Sequence, residues 1–156
     1  MRKLKKTTTF PPPSRLWRAP KVVLGGTFEI IHQGHEALLK KAFGLGRVIV
    51  GLTSNIFAQK LKKRKVRDFK ERKKELAAFI KKQFKVRPKI VKIEDRFGPT
   101  LKEDFDYIVV SPETYKTALL INQERQERNK KTIEIIKINF VLAEDKKPIS
   151  SKRILK

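Results

Sequence analysis

From residue 21 onward the apolar positions fall into short continuous runs, separated by longer stretches with helical spacing. VVL at 22–24, RVIVGL at 47–52, KIVKI at 89–93, DYIVV at 106–110 and TIEIIKINFVL at 132–142 are rich in β-branched residues and read as strands. Between the first two, HEALLKKAF at 35–43 puts Leu38, Leu39, Ala42 and Phe43 on one helical face, and Gly44 and Gly46 stop it. Asp68 is placed to cap a helix reaching about Phe84, with Phe69, Leu76, Phe79 and Ile80 as its apolar stripe. Pro112 opens a further helix to about Asn129, and a short one follows Ser150. Strands that are apolar throughout, rather than alternating, belong to a parallel sheet covered on both faces. The strand–helix rhythm makes the expected fold α/β, a doubly wound parallel five-stranded sheet. Ligands of such sheets sit at the carboxyl ends of the strands, near the point where strand order reverses.

The first twenty residues differ: a Lys cluster, a Thr run, then Pro11, Pro12 and Pro13. A proline run favours extended chain and joins neither a packed helix nor a central strand, so residues 1–20 read as a basic, loosely attached tail and 21–156 as the domain. The segment lacks the apolar stretch of a secretory signal, and no run approaches the roughly 20 apolar residues that span a bilayer. With no cysteine, disulfides, thiolate metal sites and cysteine nucleophiles are excluded. A cytoplasmic protein is expected, and charged residues at 35% with a single Met suit a thermophile.

Charge narrows the partners. Lys and Arg number 39 against 16 Asp and Glu, a formal net charge of +23. Ten of those cations fall in residues 60–74, with only two acids among them. A polyanion is therefore the expected partner, whether nucleic acid, an anionic membrane or a phosphorylated small molecule, although such a run also serves as a solvated loop and helix face.

The residues from 25 to 39, GGTFEIIHQGHEALL, choose between these. They leave the first strand at its carboxyl end and open a helix. Gly25 and Gly26 let the backbone come close to a phosphate, and the helix start offers free N–H groups with partial positive charge. The chain's two histidines, His32 and His35, lie three apart here, on one side of the turn. A single histidine in such a place is more often a cap or core residue. Two of them beside a glycine turn form a phosphate-handling site. With no third His and no Cys, zinc is disfavoured, and GxGxxG is absent.

Gly26-Thr27-Phe28 followed by His32, Gly34 and His35 resembles the GTFD…HxGH signature of the nucleotidyltransferase superfamily. Ile149-Ser150-Ser151-Lys152-Arg153-Ile154 resembles its ISSTRI motif. VVSPETY at 109–115, Ile121-Asn122 with Arg125, GLTSNIFAQK…RDFKER at 51–72 and DRFGPT at 95–100 are similar to one branch, the archaeal and eukaryotic-like phosphopantetheine adenylyltransferases. The resemblance spans about residues 21–154 and implies a Rossmann-like sheet of nucleotidyltransferase type. It further implies AMP transfer from ATP to 4′-phosphopantetheine, giving dephospho-coenzyme A and pyrophosphate, with Mg²⁺ as helper. By the same resemblance His35 and His32 bind the α- and β-phosphates, and Thr27 sits between the reacting phosphates beside the Phe28 amide. Ser150 and Ser151, with Ile149, Lys152 and Arg153 around them, hold the β- and γ-phosphates. Lys60, in a mobile basic loop also holding Lys62, Lys63 and Lys65, reaches the phosphates from the open side. Ser111, Glu113 and Asn122 surround the nucleotide. Two residues depart from the pattern: Glu29 replaces Asp, which is expected to be tolerated, and Lys152 replaces Ser or Thr.

Other members of the superfamily share HxGH, so adenylyltransferases for FMN or nicotinamide mononucleotide and cytidylyltransferases for alditol phosphates remain alternatives. A basic nucleic-acid-binding protein is a further one. Aromatic residues do not alternate with the cations of 60–74 as a base-stacking platform requires, so nucleic-acid binding is expected to be non-specific and confined to low salt.

Overall fold

The computed structural model describes residues 19–139. Five strands, β1 (Lys21–Gly26), β2 (Arg47–Thr53), β3 (Lys89–Ile93), β4 (Tyr107–Val110) and β5 (Glu134–Lys137), form one sheet in the order β3-β2-β1-β4-β5. Every neighbouring pair is parallel. The helices are α1 (Gln33–Leu45), α2 (Asn55–Lys62), α3 (Phe69–Phe84) and α4 (Tyr115–Glu127), with a 3-10 turn at Gly98–Leu101.

Alternate residues of the strands face opposite layers. Val22 and Leu24 of β1 with Val48, Val50 and Leu52 of β2 pack under Leu38, Leu39 and Ala42 of α1 and Leu76 and Ile80 of α3. Val23, Ile49, Ile108 and Val110 face the other way, against Ala118 and Ile121 of α4 and Phe105. The sheet is thus apolar on both faces, as its continuous apolar runs require. Connections from β1 run outward through β2 to β3, then return across the sheet to β4 on the far side of β1. The strand order therefore reverses between β1 and β4, and their carboxyl ends, Gly26-Thr27 and Ser111, border the crevice where such folds bind ligands.

The expected boundaries move by a few residues, except in two places. Lys60, expected in a mobile basic loop, lies instead in helix α2, with the Ser54 side chain accepting from Phe57 N–H at its start. Pro112 does not open α4: residues 112–114 turn first, and Thr114 Oγ1 accepts from Ser111 N–H. The tail up to residue 18, the end of the 132–142 run and the short helix after Ser150 lie outside the described residues.

Candidate active site

The site is built on the turn from β1 into α1. His32 is the N-cap of α1, and its Nδ1 accepts from Gly34 N–H at 3.1 Å. His35, three residues on, accepts the His32 N–H through its own Nδ1 at 3.3 Å. The pair is a reciprocal capping box in which imidazoles do what Ser and Glu ordinarily do. With both Nδ1 atoms accepting, Nε2 carries the proton of each neutral ring and is its N–H donor. The rings stack at 3.9 Å between centroids.

Burial holds His35 mostly neutral. Desolvation, then the neighbouring His32, then Lys62, push its pKa from 6.5 down to about 3, with the Ile30 backbone pulling weakly the other way. His32 is lowered too, by burial and then by Lys62. Both are therefore neutral donors at pH 7.

Two glycines have steric reasons to be glycine. A Cβ on Gly34 would lie 3.0 Å from His32 Cε1 and 3.1 Å from its Nδ1, so any side chain there displaces the ring. A Cβ on Gly26 would meet the Phe28 ring at 3.1 Å. Phe28 itself is buried at φ 47°, the left-handed region that a bulky residue occupies only where its surroundings force it. Its ring packs on His35 at 4.7 Å between centroids. Thr27 is buried, and its hydroxyl accepts from Thr53 Oγ1 of β2 at 3.1 Å.

Glu29, at the position where Asp was expected, is buried and reaches the segment between α2 and α3. Its carboxylate accepts from Arg64 at 2.7 and 3.3 Å and from Arg67 N–H at 3.0 Å, and the Arg64 hydrogen bond holds its pKa below the ordinary value. The longer side chain is thus an anchor, and the basic segment is tied to the β1–α1 turn rather than free.

Lys60 lies exposed within α2, not in a loop. Residues two apart on a helix point about 200° from each other, so Lys60 and Lys62 cannot both face the turn. The ammonium whose charge reaches His32, His35 and Glu29 is that of Lys62. Lys62 is thus the lysine of α2 on the side of the histidines, and Lys60 lies on the opposite side of the helix.

Ser111 stands at the carboxyl end of β4, and Glu113 lines a cavity of about 240 Å³ beside it. That cavity is mostly apolar, bounded by Gly25, Gly51, Phe57, Ile93, Phe97 and Ile121 among others. DRFGPT supplies part of its wall: Asp95 accepts from Phe97 and Gly98 N–H, and Gly98 sits at φ 51° against Ile93. Asn122 is corrected. Its carboxamide donates to Ile133 C=O and accepts from Ile133 N–H, both at 2.8 Å, so it ties α4 to the start of β5 instead of meeting a nucleotide. Ile149, Ser150, Ser151, Lys152 and Arg153 lie outside the described residues.

Sequence reasoning met Arg125 and Arg72 only as parts of resemblance motifs and missed that both are fully buried. Arg125 donates to Thr100, Glu103 and Lys131 carbonyls and pairs with Asp104 at 2.6 Å, fastening the wall of the cavity to α4.

The model of the cytidylyltransferase-like family matches residues 23–156. A phosphopantetheine adenylyltransferase of Methanosarcina mazei is 46% identical over 142 residues, covering 88% of this chain and 91% of that one. This chain belongs to that family. A second member, from Archaeoglobus fulgidus, is 46% identical over 136 residues, covering 86% of this chain and 91% of the relative. A crystal structure from Archaeoglobus fulgidus, described as a protein with unknown function, superposes with a TM-score of 0.73 at 43% identity, over 76% of this chain and 88% of that one. Among the described residues, no helix is long and apolar enough to cross a membrane.

Proposed function

We infer that the chain transfers AMP from ATP to 4′-phosphopantetheine, releasing pyrophosphate and forming dephospho-coenzyme A, a step of coenzyme A biosynthesis. The observation that carries this is the turn 26–35, in which two neutral imidazoles cap a helix through Nδ1 at a strand's carboxyl end, a few residues after Thr27, in a chain 46% identical to an enzyme of that name.

The reaction needs no protein nucleophile. A phosphate oxygen of 4′-phosphopantetheine attacks the α-phosphorus of ATP, a P–O bond forms, and the bond to the bridging oxygen breaks as pyrophosphate leaves. Positioning and charge stabilisation supply the rate. His35 and His32 donate to the α- and β-phosphate oxygens as charge grows there, and Lys62 places a cation over them. Thr27 donates between the two reacting phosphates. The apolar cavity beside Ser111 and Glu113 suits the pantetheine arm, whose gem-dimethyl and methylene groups need a wall of that kind.

Mg²⁺ fits as a companion of ATP. Among the described residues no group of three or more His, Asp or Glu side chains could cage a metal, so the triphosphate itself would hold the ion. When bound it supplies charge neutralisation on the leaving pyrophosphate.

Pyrophosphate release with ATP and four acceptors, 4′-phosphopantetheine, FMN, nicotinamide mononucleotide and an alditol phosphate, tests the substrate. Only the first should support turnover, and His35→Ala should lower that turnover by about 10²–10³. Turnover with another acceptor instead, or an unimpaired His35→Ala, would overturn this reading. Non-specific nucleic-acid binding remains a secondary reading, drawn from the net charge of +23. Its mark is an affinity that falls steeply with salt.

A further inference from the structure

Arg72 is charged and wholly inaccessible to solvent, and it makes no ion pair among the described residues. A cation in that position costs stability unless every donor is used. Here the guanidinium ties four elements together. Nε donates to Arg67 C=O at 2.7 Å and Nη2 to Asn55 Oδ1 at 3.0 Å. Nη1 is shared between Thr27 C=O at 3.1 Å and Thr53 Oγ1 at 3.4 Å. Asn55 Oδ1 also accepts Phe69 N–H at 2.8 Å, and its amide donates to Asp68, so its orientation is set independently.

The contact to Thr53 has a directional consequence. Arginine has donors only, and a threonine hydroxyl has one hydrogen. Thr53 Oγ1 accepts from Arg72 on one of its two lone pairs and keeps its hydrogen to donate, and the bond it makes at 3.1 Å runs from the Thr53 hydroxyl to Thr27 Oγ1. Thr27 is then the acceptor of that pair, and its own hydrogen is left over. Among the described residues no protein atom accepts it. The Thr27 carbonyl is held by the same Arg72 nitrogen, so the backbone and the hydroxyl of this residue are fixed from one side.

We propose that Arg72 and Thr53 are positioning residues for phosphoryl transfer: a donor chain from Arg72 through Thr53 to Thr27 turns the Thr27 hydrogen outward, toward the oxygens of the reacting phosphates. Neither residue touches substrate. Both act by making Thr27 a donor in advance, so that no hydroxyl has to reorient during the reaction. The proposal rests on the role given to Thr27 above.

The test is a double-mutant cycle on pyrophosphate release, with kcat corrected for active-site concentration. Thr53→Val keeps shape and leaves Arg72 three acceptors. It should lower kcat by about tenfold to a hundredfold while KM for ATP changes less than threefold. Thr53→Ser, which keeps the hydroxyl, should recover kcat to within threefold of the unaltered chain. In a Thr27→Val background, Thr53→Val should have no further effect on kcat. A merely structural Thr53 would lower the melting temperature but spare kcat of the folded enzyme. If Thr27→Val lowers kcat but Thr53→Val does not, or if the two effects multiply, the donor chain is wrong while the role of Thr27 stands. If Thr27→Val is silent, that role fails and the proposal with it.

Discussion

Replacing His35 by Gln should remove a defined part of the protein's sensitivity to acid. In the folded chain His35 is held neutral, with its pKa down at about 3 against 6.5 in the absence of burial. As pH falls below 6.5 the unfolded chain takes up a proton that the folded chain refuses, so stability drops. The loss continues until pH reaches the folded value. At pH 5 the gap is about 1.5 pKa units, and at about 1.36 kcal/mol per unit this is about 2 kcal/mol. Gln is the residue a capping box ordinarily carries at this position, and its Oε1 can accept the His32 N–H that His35 Nδ1 accepts now. The variant should therefore fold, without the titrating ring. Urea unfolding at pH 7 and pH 5 is the assay. Between those two values the unaltered protein should lose about 2 kcal/mol more than His35→Gln, with equal m-values. Parallel losses in the two proteins would show that burial does not hold His35 neutral, and the account of its ring as a neutral Nε2–H donor would fall with it.

Two further substitutions probe the same turn. Gly34→Ala puts a methyl 3.0 Å from His32 Cε1, so the ring must shift; kcat should fall about 10²-fold while stability falls by only about 1 kcal/mol, read by pyrophosphate release and urea unfolding. Lys62→Ala should weaken ATP binding and lower turnover at least tenfold, whereas Lys60→Ala, on the other side of α2, should leave both within about twofold by calorimetry and the same assay. Equal effects of the two lysines would return the choice between them to an open state.

The strands and the long helices were legible because each carries its own period: continuous apolar runs for the sheet, and the Leu76–Ile80 stripe for α3. Helix α2 was not. Only Ala58 of its eight residues is buried, and its apolar positions Phe57, Ala58 and Leu61 span little more than one turn, too short a stripe to read as a helix. The histidines, Gly26 and Gly34 were legible as a site because their spacing at a strand end is itself the geometry. The two buried arginines were hidden by composition, since Arg72 lies inside a run of ten cations. A signal was there in the spacing. Arg72 precedes Leu76 and Ile80 by four and eight residues, and Arg125 follows Ile121 and Ala118 by four and seven, so each sits on the inner stripe of its helix. A cation on a core stripe is a buried cation, with hydrogen bonds to be found. Asn122 misled for the converse reason. A carboxamide near a site looks like a ligand contact, and only the structure shows that the Ile133 backbone claims both its ends.

The strand order also governs when, during folding, the site comes into being. β1 pairs with β2 across one helix, Lys21 lying opposite Arg47, a short loop to close. Its other neighbour, β4, arrives from far along the chain: the Lys21 carbonyl and amide bond to Asp106, 85 residues away. Closing that longer loop carries the larger entropic cost and rewards it late. The histidine-capped turn can form with the first pair of strands, but the crevice it faces has only one wall until β4 docks. By that order α1 to α3 and the strands β1 to β3 can assemble before the chain has anywhere to hold two substrates together, since α4 packs on β4 itself. Recovered turnover after unfolding reports the docking of β4 rather than the first return of secondary structure.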